Sequence, residues 1–380
     1  MRLAYTTTFD ALNVRNWSGT PYYMSQAFAQ QNTTVAYIGS LTRQLPPLFK
    51  LKQLFRELIC QQRESPRFNI TAAKYYSQQA AKQLSQLSVD AIVSPQINPI
   101  AYLDCKQPIV LWTDAVYAAL IGFYPAFSRH SANTIQQGNT IFSEGLSRCR
   151  LAIFSSDWAA ASALALYGAA KEKVKVVPFG ANIDSFPSRE EIQQHVKNRA
   201  RDKIKLLFLA KSWERKGGDT VLAVAQALHA AGHPVELSIV GYQPPVQQPL
   251  PAYVKCLGFI SKRTAEGKKQ LDDLLCATHF LFVPSSAEAY GIVFCEANAF
   301  AIPCLTSYVG GISTIVKDGI NGMTFALGAE IPAYCEYIVN TWQDEKGYNE
   351  LALSAYNEYV TRLNWQAAIR EVKQLIGEVL

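Results

Sequence analysis

Short apolar runs of strand length alternate with helix-length stretches along this chain, and that rhythm leaves few architectures open. The runs 3–6, 34–38, 91–94, 109–112, 151–155 and 174–178 form a first series, and 205–209, 236–240, 253–259, 279–283, 303–306 and 322–326 a second. Strands that alternate with helices pair in parallel and are covered on both faces. The expected class is therefore α/β, with doubly wound, Rossmann-like sheets whose ligands sit at the carboxyl ends of the strands. The rhythm breaks at the polar segment 188–202 (SREEIQQHVKNRARD), and 380 residues exceed what one hydrophobic core supports. The break puts a boundary at about residue 186, between a domain of 1–186 and one of 187–360, with 361–380 a terminal helix following Asn364-Trp365.

Chemistry concentrates in 279–316, HFLFVPSSAEAYGIVFCEANAFAIPCLTSYVGGISTIV. This reads as an apolar strand, a small-residue loop carrying Glu288 and Gly291, a helix start bearing Glu296, and a strand opened by Pro303 and closed by Gly310-Gly311. Where a strand passes through a glycine turn into a helix, free amide donors and the helix dipole converge and favour an anion. Carboxylates on either side accept paired hydrogen bonds from sugar diols. The segment reads as a grip on a phosphate flanked by two sugars. On the residues alone, an ordinary strand–loop–helix unit with exposed glutamates stays open beside it.

In LLFLAKSWERKGGDTVLAVAQAL, Lys211 ends a strand and Lys216 precedes Gly217-Gly218 and a helix start near Asp219. Two cations and a helix start can hold a diphosphate and neutralise a leaving group; solvated lysines are the plain alternative. Gly19, in the first loop, can admit a ligand or merely cap a helix. Asp114, at the end of IVLWT, can bind a hydroxyl or cap a helix. His229 and His233 flank a helix end at Gly232 and Pro234 and lack the glutamate of HExxH, so no metal site is expected.

Pro284-Ser285-Ser286, Glu288, Tyr290-Gly291, Glu296-Ala297, Pro303 and Gly310-Gly311 resemble the signature of the family-4 retaining glycosyltransferases of GT-B fold. The segments 155–158 and 176–184 resemble that family's serine turn and its proline–glycine–aspartate interdomain signature. The resemblance implies two Rossmann-like domains facing across a cleft, with the last helix crossing back onto the first. It implies that Glu288 binds donor-sugar hydroxyls, Glu296 the ribose, and Gly291, Ile292 and Val293, beside Tyr290, the phosphates through backbone amides. Lys211 and Lys216 would hold the diphosphate, Phe259 and Ile260 would meet the base, and Gly19 would face the donor. The chain departs from the family pattern at Asp114 (usually histidine), Lys211 (arginine), Thr314 (glutamate) and Ala301 (glycine). Lysine keeps the charge of arginine and loses its bidentate fork. No protein nucleophile is evident, so the leaving phosphate itself would deprotonate the acceptor on the same sugar face. The absence of a DxD motif agrees with lysines and a helix dipole standing in for Mg²⁺.

No apolar run approaches the roughly 18–20 residues that span a bilayer, and residues 1–30 lack a basic start followed by an apolar core. The expected place is the cytoplasm, or the inner face of a membrane. The eight cysteines are scattered without a CxxC pair, which predicts buried reduced thiols. Between 41 and 74, Leu45, Leu48, Phe49, Leu51, Leu54, Phe55, Leu58 and Ile59 interleave with Arg43, Lys50, Lys52, Arg56 and Arg63. Such a helix can lie on anionic lipid, or pack on its domain with a solvated basic edge. Residues 1–185 hold 17 Lys and Arg against 10 Asp and Glu, a balance of +7, and the remainder holds 19 against 20. No nucleic-acid-binding motif accompanies the excess, so a nucleic-acid partner is not expected.

Together these features predict a metal-independent retaining glycosyltransferase with no cofactor beyond its nucleoside-diphosphate-sugar donor, acting on a carbohydrate or lipid-linked acceptor. A GT-B sugar-nucleotide epimerase and a non-catalytic sugar-nucleotide-binding protein are the other classes that fit.

Overall fold

The computed structural model describes residues 1–242, 244–245 and 249–380. The chain divides into two compact units, one of Met1–Asn182 with Trp365–Leu380, the other of Ile183–Asn364. The polar break is a helix, Arg189–Asn198, within the second unit. Ser188 and Glu191 close a reciprocal cap at its start, and Ile192 and Val196 are its buried side.

In the first unit β1 (Arg2–Thr6), β2 (Thr34–Ile38), β3 (Ala91–Ser94), β4 (Ile109–Thr113), β5 (Leu151–Phe154) and β6 (Val174–Val176) form a parallel sheet in the order β2-β1-β3-β4-β5-β6. Register pairs Tyr5 with Tyr37 on one side of β1 and Leu3 with Ala91 on the other. β3, β4 and β5 are buried at every position, which is why they appear as continuous apolar runs instead of alternating ones. α1 (Thr20–Gln30) starts with Pro21 in its first turn, where the missing N–H costs nothing. The terminal helix Trp365–Gly377 packs on α1, with Gln31 donating to the Gln366 carbonyl at 2.8 Å. The Trp365 indole N–H donates to Asn182 Oδ1 at 3.1 Å, and its ring meets Trp112 and Phe179 at centroid distances of 5.7 and 5.6 Å.

After β2 come α2 (Phe49–Ile59) and α3 (Ile70–Leu84). α2 is amphipathic as its sequence predicts, but it faces the other way from a core-packing helix. Phe49 is buried and Gln53 and Arg56 are half-buried, whereas Leu51, Leu54, Phe55, Leu58 and Ile59 are exposed.

The second unit carries β7 (Ile204–Leu209), β8 (Val235–Val240), β9 (Val254–Gly258), β10 (Phe280–Val283), β11 (Cys304–Ser307) and β12 (Gly322–Phe325), parallel in the order β12-β11-β10-β7-β8-β9. Arg199 is buried, and its guanidinium donates to the carbonyls of Cys276, Ala301 and Phe300 at 3.2 Å each and to Tyr348 Oη at 2.6 Å. Ala301 adopts a left-handed φ of 54°. That conformation costs an L-residue about 1–2 kcal/mol, and a hydrogen bond to the Arg199 charge, worth about 1.5–3 kcal/mol, offsets it.

All eight cysteines are free thiols. Burial is not uniform as expected from the sequence, because Cys60 and Cys256 are exposed. Among the described residues no helix is long and apolar enough to cross a membrane.

Candidate functional site

The strand order of the second sheet reverses between β7 and β10. Loops leaving the carboxyl ends of those two strands diverge to opposite faces, and the crevice between them is where open parallel sheets bind ligands. Here the two loops are tied together. The Ser286 amide donates to the Arg215 carbonyl at 2.8 Å, and Arg215 Nη1 donates to the Ala287 carbonyl at 2.8 Å. Gly217 permits the approach: it has φ 77°, and a Cβ there would lie 2.3 Å from the Pro284 carbonyl oxygen.

Two cations from the β7 loop converge on Glu288 of the β10 loop. Lys216 Nζ pairs with Glu288 Oε2, and Arg215 Nη1 lies 3.4 Å from the same oxygen. The Lys216 and Glu288 side chains retain only 11% and 12% of their exposure. Burial alone would raise the Glu288 carboxyl, but Lys216 and then Arg215 outweigh it and hold the group below the usual glutamate range. The carboxylate is thus kept ionised in a largely dry position.

Gly291, at φ 95°, turns the chain into the seven-residue helix Ile292–Asn298, whose first-turn amides, including Ile292 and Val293, precede any intrahelical acceptor. A Cβ at Gly291 would sit 2.7 Å from the Phe294 ring. Glu296, on this helix, is buried, and its Oε1 is 2.7 Å from Lys262 Nζ, which follows β9. Tyr290 packs inward, with its hydroxyl 3.6 Å from the Cys295 thiol. Phe259, just after β9, is 71% exposed, and Ile260 is buried.

Of the residues singled out in the sequence, Lys216, Glu288, Gly291, Ile292, Val293 and Glu296 therefore belong to the loops and helix at the carboxyl end of the second sheet. Lys211, two residues beyond β7, is exposed, and the second cation at Glu288 is Arg215. The Arg-Lys pair directly before Gly217-Gly218 was the available signal for it. Lys262 had none beyond its position after a strand. Thr314 is buried, and its carbonyl accepts from Arg362 Nη1 at 2.7 Å; Arg362 pairs in turn with Glu358 at 2.5 Å.

Gly19 and Asp114 belong to the first unit. Gly19, with φ 88°, is the residue before α1, and Asn182 Nδ2 donates to the neighbouring Ser18 carbonyl at 3.0 Å and Thr20 Oγ1 at 3.1 Å. Asp114 directly follows β4 and is close enough to Arg67 for their charges to interact. The order of the first sheet reverses between β1 and β3, and there Thr8 donates through its amide and hydroxyl to Gln96 Oε1 at 2.9 and 3.0 Å.

Comparison with solved structures defines the class of fold. Sucrose-phosphate synthase from Thermosynechococcus elongatus superposes with a TM-score of 0.70 at 15% identity, covering 100% of this chain and 99% of that one. Anabaena HepE in complex with UDP-glucose gives 0.61 at 15% identity, with both chains fully covered. With its two doubly wound sheets the chain has the GT-B fold. Residues 189–358 match the model of the family glycosyl transferases group 1. D-inositol 3-phosphate glycosyltransferase 1 of Catenulispora acidiphila is 28% identical over 218 residues, which cover 54% of this chain and 52% of the relative. The chain thus spans about half the length of the curated relatives it matches.

Proposed function

We propose that the protein is a retaining, metal-independent glycosyltransferase that moves a sugar from a nucleoside-diphosphate donor to a carbohydrate or lipid-linked acceptor. The observation that carries this reading is the convergence of Lys216, Arg215 and Glu288 at the strand reversal of a group 1 domain. A nucleoside diphosphate presents two phosphates, which cations and first-turn amides match, between two sugars, whose diols suit carboxylates. The UDP-glucose bound by HepE supports a donor of this class.

Glu288 takes donor-sugar hydroxyls, Glu296 the ribose, and Gly291, Ile292 and Val293 the phosphates through their amides. Lys216, with Arg215 and Lys211, meets the diphosphate; Tyr290 shapes the loop, and Phe259 and Ile260 border the base. In the first unit, Gly19 leaves room at the first loop and Asp114 orients the acceptor. In the transfer, the acceptor oxygen bonds to the anomeric carbon as the bond from that carbon to the diphosphate oxygen breaks. The departing phosphate receives the acceptor's proton, and both events occur on one sugar face, which retains configuration. Cations buried beside the leaving group stabilise its growing charge and need no reorganisation. The reaction belongs to the cytoplasm, with the protein in peripheral contact with an anionic membrane.

The test is transfer and donor turnover in EDTA for the wild type, Glu288→Ala and Lys216→Ala. Full transfer by both variants refutes the site. Conversion of donor with no acceptor present marks an epimerase, and donor binding with no turnover marks a binding protein.

A further inference from the structure

α2 is built the opposite way from a helix that packs on its own domain. Its apolar residues Leu51, Leu54, Phe55, Leu58 and Ile59 recur at the spacing of one helical face, and that face is turned to solvent. Leu48, at its start, is exposed as well. Gln53 and Arg56 take the inner side with Phe49. The orientation is held by a buried fixture. Arg56 Nε lies 2.9 Å from Glu64 Oε1, and Glu64, itself buried, accepts from Ser131 Oγ and Thr134 Oγ1 at 2.9 Å each and from Asn133 Nδ2 at 3.2 Å. The Arg63 amide adds a bond to the Arg129 carbonyl at 2.6 Å. The outward apolar face is thus a fixed surface of the first unit.

Charge identifies the occupant. From Arg43 to Arg63 there are five basic residues against one acid, Glu57, and Arg43, Lys50, Lys52 and Arg63 are exposed around the apolar face. A second copy docking symmetrically would set this basic rim against itself. A bilayer with anionic headgroups takes both features at once, the apolar face entering the acyl boundary and the rim meeting the phosphates.

The geometry points to α2 as a membrane-docking helix for anionic bilayers, which sets the first unit on the lipid surface from which a lipid-linked acceptor is drawn. The choice of acceptor rests on the transferase reading; the docking does not. α2 follows the carboxyl end of β2, and Gly19 and Asp114 lie in loops that leave the carboxyl ends of β1 and β4 in the same parallel sheet.

Flotation of the full chain with phosphatidylcholine vesicles, with and without phosphatidylglycerol, tests this. The expected result is capture by the phosphatidylglycerol vesicles alone. Leu58→Glu with Ile59→Glu should lower partition at least about tenfold. Lys50→Gln and Lys52→Gln should lower it roughly fivefold each, with loss at high salt. Unchanged melting of the variants shows that they fold. Failure of the wild type to float, or equal flotation of the Leu58/Ile59 variant, overturns the proposal. A wild-type dimer that this variant makes monomeric, with no vesicle capture, overturns it in favour of a second copy. If vesicles are captured but no sugar nucleotide is bound or turned over, the docking stands and the transferase reading falls.

Discussion

Lys216→Ala separates a catalytic cation from a merely structural one. The substitution leaves the Glu288 carboxylate in place with Arg215 Nη1 at 3.4 Å as its remaining counterion. Removing one partner of a fully buried pair costs about 3–5 kcal/mol. Because Arg215 remains and 12% of the Glu288 side chain stays exposed, about 1–2 kcal/mol is the expected loss here. For a unit of this size that is a fall in melting temperature of roughly 3–6 °C. The catalytic loss should be larger, about 10²–10³ in kcat, as for other preorganised groups that face developing charge. The acid limb should move as well. Lys216 and Arg215 hold the Glu288 carboxyl low, so its stabilising contribution is complete above the ordinary carboxylate range and fades as pH falls through it. Without Lys216 that fading begins at higher pH. Melting curves from pH 7 to 4, with calorimetric titration of UDP and GDP and assay of nucleoside-diphosphate release, give all three readings. A variant that melts lower yet transfers sugar within threefold of the wild type would show that the pair only supports the loops.

His279 is buried. Its Nδ1 accepts from the Lys205 amide at 3.0 Å, its Nε2 has no partner among the described residues, and burial pushes its pKa from 6.5 down to about 3. The folded ring stays neutral while the unfolded one gains a proton below pH 6.5, so between pH 7 and 5 it should cost the native state about 2 kcal/mol. His279→Asn keeps an acceptor and should remove that part of the slope in denaturant midpoints; an unchanged slope contradicts the assignment. Gly291→Ala must accommodate a φ of 95° and a Cβ 2.7 Å from the Phe294 ring. It should lose at least about 1–2 kcal/mol of stability and, because the amides after it shift, roughly tenfold or more in nucleotide affinity by calorimetry. Trp365→Ala empties a contact with Trp112 and Phe179 and removes the indole donor from Asn182 Oδ1, so it should cost about 3–5 kcal/mol by chemical denaturation.

The sheets were legible because strands buried on both faces must be apolar throughout, and β3, β4, β5 and β10 have no polar face to confuse the pattern. Glu288, Gly291 and Glu296 were legible because a strand, a glycine turn and a helix start fix their neighbourhood locally. Arg215 was not, since its place beside Glu288 depends on β7 and β10 being neighbours, and strand order is a property of the whole sheet. Lys262 was hidden for the same reason, reaching Glu296 from the segment after β9. The direction of α2 was equally unreadable. An apolar stripe has the same spacing whether it faces a core or a bilayer, and the Arg56–Glu64 pair that settles it draws on Ser131, Asn133 and Thr134 from far along the chain.

Because the first unit is completed by Trp365–Leu380, its beginning and its end leave the ribosome at opposite times. The second unit, a continuous stretch, can close as soon as Asn364 has emerged, although it is made later than most of the first. Until then Trp112 and Phe179 lack the ring that covers them, and α1 lacks the helix that packs on it. The first unit therefore stays partly uncovered until residues 365–380 have been added to it.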